Sequence, residues 1–461
     1  MSNDFDLIVI GAGPGGYPTA IRAAQLGLRV ACIERERLGG VCLNWGCIPS
    51  KALLKTAELA NKIRHAGDFG LLVPEMGIDY DKVVGRSRKV ASRFERGVKG
   101  LFKKYGVTSI FGTASLTAAN TVQVVGADGG TAEHTAAHIV VATGAHARTF
   151  PGIELDGERI VSYREAIVRT VQPARVTVLG AGAIGMEFAY FWNAMGTEVT
   201  VVEGRDEVLP VEDEECGAVV RKKMAKSGIA FQLGRMVKQV RREGEETVTV
   251  LDDGTELRAD LTLVALGITP NSSGIGLDQL GVRMERGFIA IDDACATNVP
   301  GVYAVGDVTT KGGLAHTATA QGHVCAERIA GHAAPAVDYS SIPGCTYCQP
   351  QVASVGLTEA AAKAQGLAFT VGRFPFLANG KAQGAGDADG FVKVLIDDKY
   401  GEILGAHIVG AAATEMIAEF TLARSGEVTA DVLLHTVHAH PTYSEAMYEA
   451  VAQAKGVSVH I

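Results

Sequence analysis

Gly11-Ala12-Gly13-Pro14-Gly15-Gly16 follows a short apolar run, Phe5 to Ile10, and opens a helical pattern that continues through Leu26 and stops at Gly27. A second apolar run then ends in an acid, Glu34. Strand, glycine turn, helix and acidic strand end make a dinucleotide-binding unit. Gly11 permits the tight turn, Gly13 lets a pyrophosphate approach the backbone, and Gly16 allows the helix to pack close on the strand. The helix N-terminus then faces the phosphates, and Glu34 takes ribose hydroxyls. Pro18 stands far into the helix and fits only if it falls in the first turn, where its missing N–H is not needed.

The unit occurs twice. Arg175 to Leu179 lead into Gly180-Ala181-Gly182-Ala183-Ile184-Gly185, a helix that stops at Gly196, and a strand ending at Glu203. Both copies keep the same spacing from first glycine to helix stop (Gly11 to Gly27, Gly180 to Gly196) and from first glycine to acid (Gly11 to Glu34, Gly180 to Glu203). The expected fold is therefore α/β with two Rossmann-like dinucleotide sites. Glu203 would bond a ribose 2′-OH and repel a 2′-phosphate, which favours NAD over NADP, with Arg205 as the competing signal.

Composition bounds what surrounds these units. A chain of 461 residues exceeds the size at which one core stops growing, so two to four domains are expected. Hydrophobic content of 47%, with 56 glycines and only 6% aromatics, suits many tight strand-to-helix turns. A net charge of −8 without a basic cluster argues against nucleic acid as a partner. No apolar run is long enough to span a bilayer, and the acidic start runs straight into a strand with no room for a signal peptide, so a cytoplasmic protein is expected. Eight scattered cysteines do not form a disulfide framework, and any disulfide in a reducing compartment would be catalytic.

Two of those cysteines stand in Gly39-Gly40-Val41-Cys42-Leu43-Asn44-Trp45-Gly46-Cys47-Ile48-Pro49-Ser50-Lys51. One distorted helical turn would bring their sulfurs into bonding range, so the run reads as a redox dithiol. Two dinucleotides and a dithiol point to a flavin and a nicotinamide in series. Near the other end lies His438-Ala439-His440-Pro441-Thr442-Tyr443-Ser444-Glu445, an imidazole with a carboxylate that can orient it. These two runs, with the repeated glycine units, resemble the flavoprotein disulfide reductases across essentially the whole chain, and within them the dihydrolipoamide dehydrogenases.

The resemblance implies a C-terminal α+β dimerisation domain and four segments: 1–150 (FAD-binding, first part), 151–271 (NAD-binding), 272–341 (return to the FAD-binding region) and 342–461 (interface). It implies Cys47 as the sulfur against the flavin, Cys42 as the one that exchanges with substrate, and His440, from the other subunit, as acid/base oriented by Glu445. Lys51 and Glu187 match an ion pair near the flavin ring; either could otherwise be a solvated helix residue. Thr143-Gly144 and Gly267 match the points where the chain leaves and regains the flavin domain. Asp307, ending the run Thr297 to Asp307, matches a ribityl contact. Leu314 to Ala318, with Ala315, begins a helix passing the flavin and dithiol; Gln321 stands where many relatives carry Glu, and His316 has a structural reading. The implied cofactors are FAD and NAD, and the implied partners a second copy and a lipoylated carrier, because no lipoyl domain is fused at the start. Glutathione reductase, the nearest alternative, would want basic residues in place of Glu203. Mercuric and thioredoxin reductases carry an extra C-terminal redox pair, absent from Gly456 to Ile461. A non-catalytic subunit of a multienzyme complex could lose Cys42, Cys47 or His440, and all three are present. Cys345 and Cys348 lack the second pair a zinc site needs, and if Gly344 to Gln349 is extended they face opposite sides, as structural thiols.

Overall fold

The computed structural model describes residues 3–461; Met1 and Ser2, the start of the acidic N-terminal run, lie outside the described residues. The first glycine unit builds a parallel sheet in the order Thr108–Phe111, Val30–Glu34, Phe5–Ile10, Thr131–Val141, with Val302–Ala304 added beyond the last. Leu7 to Ile10 and Ile139 to Val141 are buried, as expected of parallel strands covered on both faces. Thr131–Val141 serves two sheets: its second half joins the parallel layer, while its first half pairs antiparallel with Thr121–Val125. Pro18 is the third residue of the helix Gly16–Gln25 and so lies in its first turn.

The second glycine unit repeats the plan as a parallel sheet, Ala230–Leu233, Glu198–Glu203, Arg175–Leu179, Leu261–Val264 and Ile160–Val161. Its helix, Ala183–Met195, is apolar nearly all round. The helices Cys47–Arg64 and Tyr80–Tyr105 of the first unit cover the face that would otherwise meet water, with Trp192 Nε1 donating to Tyr80 Oη at 3.1 Å. The chain's exit from the first unit and its return are tied together. Ala145–Ala147 pairs antiparallel with Ile268–Pro270, Asn271 N donates to the Gly144 carbonyl at 2.9 Å, and Thr143 Oγ1 donates to the Asn271 carbonyl at 2.7 Å.

The C-terminal unit is a five-stranded antiparallel sheet, Gly344–Thr346, Gln351–Gly356, Ile403–Gly410, Phe391–Asp397 and Phe369–Pro375. The helices Ala413–Ser425 and Glu445–Ala454 cover it, over a core that includes Phe374, Phe376 and Phe420. The architecture is thus α/β with two Rossmann-like units followed by an α+β unit, as the sequence predicts. One local expectation is corrected: the strand at Cys345 ends at Thr346, and the chain bends over 348–350 before the next strand begins. Cys345 nevertheless packs against the C-terminal core and Cys348 against the central one. No helix among the described residues is long and apolar enough to cross a membrane.

Candidate active site

The dithiol segment rests directly on the first glycine turn. Gly39 N donates to the Ala12 carbonyl at 2.8 Å, and a Cβ on Gly40 would lie 2.7 Å from Gly13 Cα, so the two backbones touch. A short helix, Gly40–Asn44, carries Cys42; the chain breaks at Trp45-Gly46 and restarts as Cys47–Arg64. That helix starts at Cys47 itself, with Pro49 inside the first turn. Asn44, wholly buried, holds the break: Nδ2 donates to the Leu38 and Gly40 carbonyls at 3.0 Å.

Cys47 therefore sits at the N-terminus of an 18-residue helix, where unpaired amides favour an anion. All eight cysteines are free thiols, and Cys42 and Cys47 are hydrogen-bonded to each other. The bond from Cys42 pulls the Cys47 thiol below its ordinary range; burial opposes this, and the Lys51 cation assists it. Cys42 is pushed up by the same bond and by burial. The two groups are thus shifted apart, Cys47 toward the thiolate and Cys42 toward the thiol. Lys51, one turn along the helix, reaches both Glu187 oxygens at 3.0 Å, and Glu187 is buried.

The two glycine turns test whether the chain fits a pair of dinucleotides. A Cβ on Gly16 would lie 1.8 Å from the Gly11 carbonyl, and one on Gly185 lies 1.9 Å from that of Gly180, so helix and strand demand glycine there. The middle glycines differ. A Cβ on Gly182 would meet nothing within 4 Å, and one on Gly13 meets only Gly40 Cα at 3.9 Å. Protein packing explains the outer glycines, while the middle ones leave open room of the kind a pyrophosphate needs. Glu34 Oε2 accepts from Ala12 N at 2.8 Å, and Glu203 Oε2 accepts from Ala181 N at 2.8 Å. Each acid thus braces its own turn and keeps acceptor capacity for a ribose. Arg205 directs its guanidinium at the Pro210 carbonyl, 3.4 Å away, and leaves the Glu203 carboxylate in place.

Asp307 follows the strand Val302–Ala304, and its carboxyl is pushed up by burial, with only the Gly313 amide, 2.9 Å from Oδ1, acting the other way. A largely buried carboxyl with one protein donor fits a ligand hydroxyl. The helix Ala315–Ile329 starts nearby with no side-chain cap, leaving its first amides free. FAD would be held by Gly11, Gly13, Gly16, Glu34, Asp307 and Ala315, and NAD by Gly180, Gly182, Gly185 and Glu203. Thr143, Gly144 and Gly267 form the stitched crossing, where Arg148 N donates to the Gly267 carbonyl.

His440 is paired within its own segment. Its Nδ1 is 2.7 Å from Glu445 Oε1, its side chain is 78% exposed, and the Thr442 amide donates to Glu445 Oε2 at 2.8 Å. Burial raises the Glu445 carboxyl, but the Thr442 amide and His440 together hold it below its usual range, so it stays an anion able to fix the ring. His438 is instead tied to Glu419 Oε1 at 2.8 Å, and His316 Nε2 is 2.8 Å from the Pro343 carbonyl. Gln321, fully buried, accepts from Gly306 N at 2.7 Å and donates to the Lys311 carbonyl, bracing the turn that carries Asp307.

Two contributors escaped sequence reasoning. Arg164 stacks on the Trp45 ring with its guanidinium carbon 3.8 Å from the centroid, and pairs with Glu36. Tyr347 lies under Lys51. Both are contacts between distant segments, and no local spacing announces them.

The sequence pattern of the pyridine nucleotide-disulphide oxidoreductases matches residues 5–322, and that of their dimerisation domain matches residues 342–451. The chain is 47% identical to the dihydrolipoyl dehydrogenase of Rhizobium etli, with 99% of each covered. It is 46% identical to that of Zymomonas mobilis, with 100% of each covered. Among solved structures it resembles LpdA from Mycobacterium tuberculosis with a TM-score of 0.91 at 28% identity, over 96% of this chain and 98% of that one. With both patterns matched and full-length relatives at this identity, the chain belongs to the pyridine nucleotide-disulphide oxidoreductase family.

Proposed function

We propose that this chain oxidises protein-bound dihydrolipoamide to lipoamide through the Cys42–Cys47 disulfide, with FAD as carrier and NAD+ as final acceptor. The observation that carries the reading is the divided dithiol: a thiolate-favouring Cys47 at a helix N-terminus beside Lys51, resting on the first glycine turn. The dihydrolipoyl dehydrogenase relatives support the substrate.

The chemistry begins at His440 of the partner subunit, which removes a proton from one substrate thiol. The resulting thiolate attacks Cys42, the Cys42–Cys47 bond breaks, and Cys47 leaves as the thiolate that its helix and Lys51 stabilise. The second substrate thiol, once deprotonated, attacks the sulfur bound to Cys42, closing the lipoamide disulfide and releasing Cys42. When bound, FAD would supply the relay that carries the electron pair from the Cys42–Cys47 dithiol to NAD+, so that the disulfide is restored as NADH and a proton are released. Glu203 sets the choice of NAD, since its carboxylate, braced at the second turn by Ala181 N, would accept from a ribose 2′-OH and repel a 2′-phosphate.

The working unit is a homodimer. Its support is the high exposure of the His440–Glu445 dyad, the dimerisation pattern over 342–451, and exposed Leu377, Leu422 and Val437 in that unit. The segments 1–150, 151–271, 272–341 and 342–461 are the proposed domains. The reaction is assigned to the cytoplasm, in keeping with six further free cysteines outside the pair. The partner is a lipoylated carrier of a 2-oxo acid dehydrogenase or glycine-cleavage complex. Purified protein should be yellow, and should turn over dihydrolipoamide with NAD+ far faster than glutathione disulfide with NADPH; the reverse preference would overturn the substrate and the coenzyme together.

A further inference from the structure

A lysine side chain has four flexible carbons, so an ion pair to Glu187 alone leaves the position of the Lys51 cation loosely defined. The segment Pro343 to Cys348, from the C-terminal unit, supplies what is missing. The Tyr347 ring centroid lies 4.2 Å from Lys51 Nζ, within cation–π range. The backbone amide of the same residue donates to Glu187 Oε1 at 3.0 Å, the oxygen that Lys51 also contacts at 3.0 Å. One residue thus touches both members of the pair. His316, whose Nε2 is 2.8 Å from the Pro343 carbonyl, fixes where this segment begins. The phenol is pushed up to about 12, chiefly by burial, so the ring beneath the lysine is neutral near pH 7.

We propose that Tyr347 is a positioning residue of the redox centre: its ring face and its amide hold Lys51 and Glu187 in register, which keeps the lysine charge within reach of the Cys47 sulfur. The inference rests on the reading of Cys47 as the thiolate-bearing sulfur. The charged and titratable groups around that sulfur and its lysine are Cys42 on the preceding turn, Lys51 on the same helix, Glu187 on Ala183–Met195, and Tyr347, Cys345 and Cys348 from the C-terminal unit. Glu212 and Glu415 stand behind Cys345 and Tyr347. Among these, only Tyr347 and Glu187 contact the Lys51 ammonium directly.

The test follows thiolate formation at Cys47 against pH in the dithiol form of the flavin-loaded protein. Ultraviolet thiolate absorbance gives the titration, and peptide-mapped alkylation assigns it to Cys47. Tyr347→Phe, which keeps the ring face, should titrate as the unsubstituted protein does. Tyr347→Leu should move the midpoint up by about 0.5 to 1 pH unit. In a Lys51→Met background Tyr347→Leu should add nothing, because the route runs through the lysine. An unmoved midpoint in folded, flavin-bound Tyr347→Leu overturns the proposal, as does a shift that persists without Lys51, or a Phe variant that behaves like Leu. Failure of the underlying reading looks different: the unsubstituted protein itself would show no low-lying thiolate at Cys47 and no dihydrolipoamide turnover.

Discussion

Replacing Lys51 with Met separates what the Lys51–Glu187 pair does for stability from what it does for the dithiol. Glu187 is 7% exposed, and both its oxygens lie 3.0 Å from Lys51 Nζ. Removing one partner of a buried pair costs about 3–5 kcal/mol, because the remaining charge is left without compensation. The Lys51 side chain is 34% exposed, so water already screens part of the interaction and the expected loss falls to about 1–3 kcal/mol. For a unit of this size that is a drop of roughly 2–12 °C in the melting temperature. Adding Glu187→Gln removes the stranded charge and keeps an acceptor for the Tyr347 amide, 3.0 Å from Glu187 Oε1. The double variant should therefore recover most of the lost stability. It should recover the Cys47 thiolate only in part: the lysine charge that lowers Cys47 is gone, while loss of the Glu187 charge, which raises it, acts the other way. Calorimetry reads the first quantity and peptide-mapped alkylation against pH the second. A double variant as unstable as Lys51→Met, or one with a normal Cys47 titration, would refute the reasoning.

Gly182→Ala and Gly185→Ala should fail in different ways. The Gly182 Cβ would meet nothing within 4 Å, so that variant should fold and bind FAD but lose NAD affinity, whereas at Gly185 the Cβ would lie 1.9 Å from the Gly180 carbonyl and the second unit should not close; NAD+ titration and circular dichroism distinguish the two. Glu445→Gln removes the charge beside His440 Nδ1 and should lower kcat/KM for dihydrolipoamide by about tenfold or more at neutral pH, with flavin content unchanged. Lys393, 1% exposed, is held by Asp213, Glu215 and Glu359 across the boundary between the second and C-terminal units, so Lys393→Met should cost about 3–5 kcal/mol. Bonds from Lys363 and Lys393 lower Glu359 to about 2, and Asp213 and Glu215 are also lowered despite burial. The stability these carboxylates contribute is present above their unfolded values near pH 4 and is lost as the pH falls toward about 2. Acid melting curves of the unsubstituted protein should show that loss, and those of Lys393→Met a smaller one.

The glycine units were legible because their signal is local: a turn needing Gly11, a helix packed so close that Gly16 is obligatory, and an acid at a fixed distance all fall within one short segment. Asp307 was named through the family resemblance of the run Thr297 to Asp307; it lies in the turn Gly306–Val308, just after a strand of the same parallel layer. The dithiol was legible as chemistry but not in detail. The spacing of Cys42 and Cys47 gives the pair, while the break at Trp45-Gly46 and the helix start at Cys47 depend on Asn44 bonding backward to Leu38 and Gly40. The apolar circumference of Ala183–Met195 does not say what covers it; that depends on Tyr80 and the dithiol helix from the first unit. Tyr347 and Arg164 were invisible for the same reason. Their meaning lies in rings and cations brought together from segments far apart in the chain.

The central claim is that electrons from dihydrolipoamide enter through the Cys42–Cys47 pair. Cys47→Ser removes the sulfur at the helix N-terminus and leaves both glycine turns, Glu34 and Asp307 untouched. Dihydrolipoamide-dependent NADH formation by the flavin-loaded Cys47→Ser protein, measured beside the unsubstituted enzyme, is the most direct test. The account predicts a bound flavin and no NADH above background; turnover at the unsubstituted rate would contradict it.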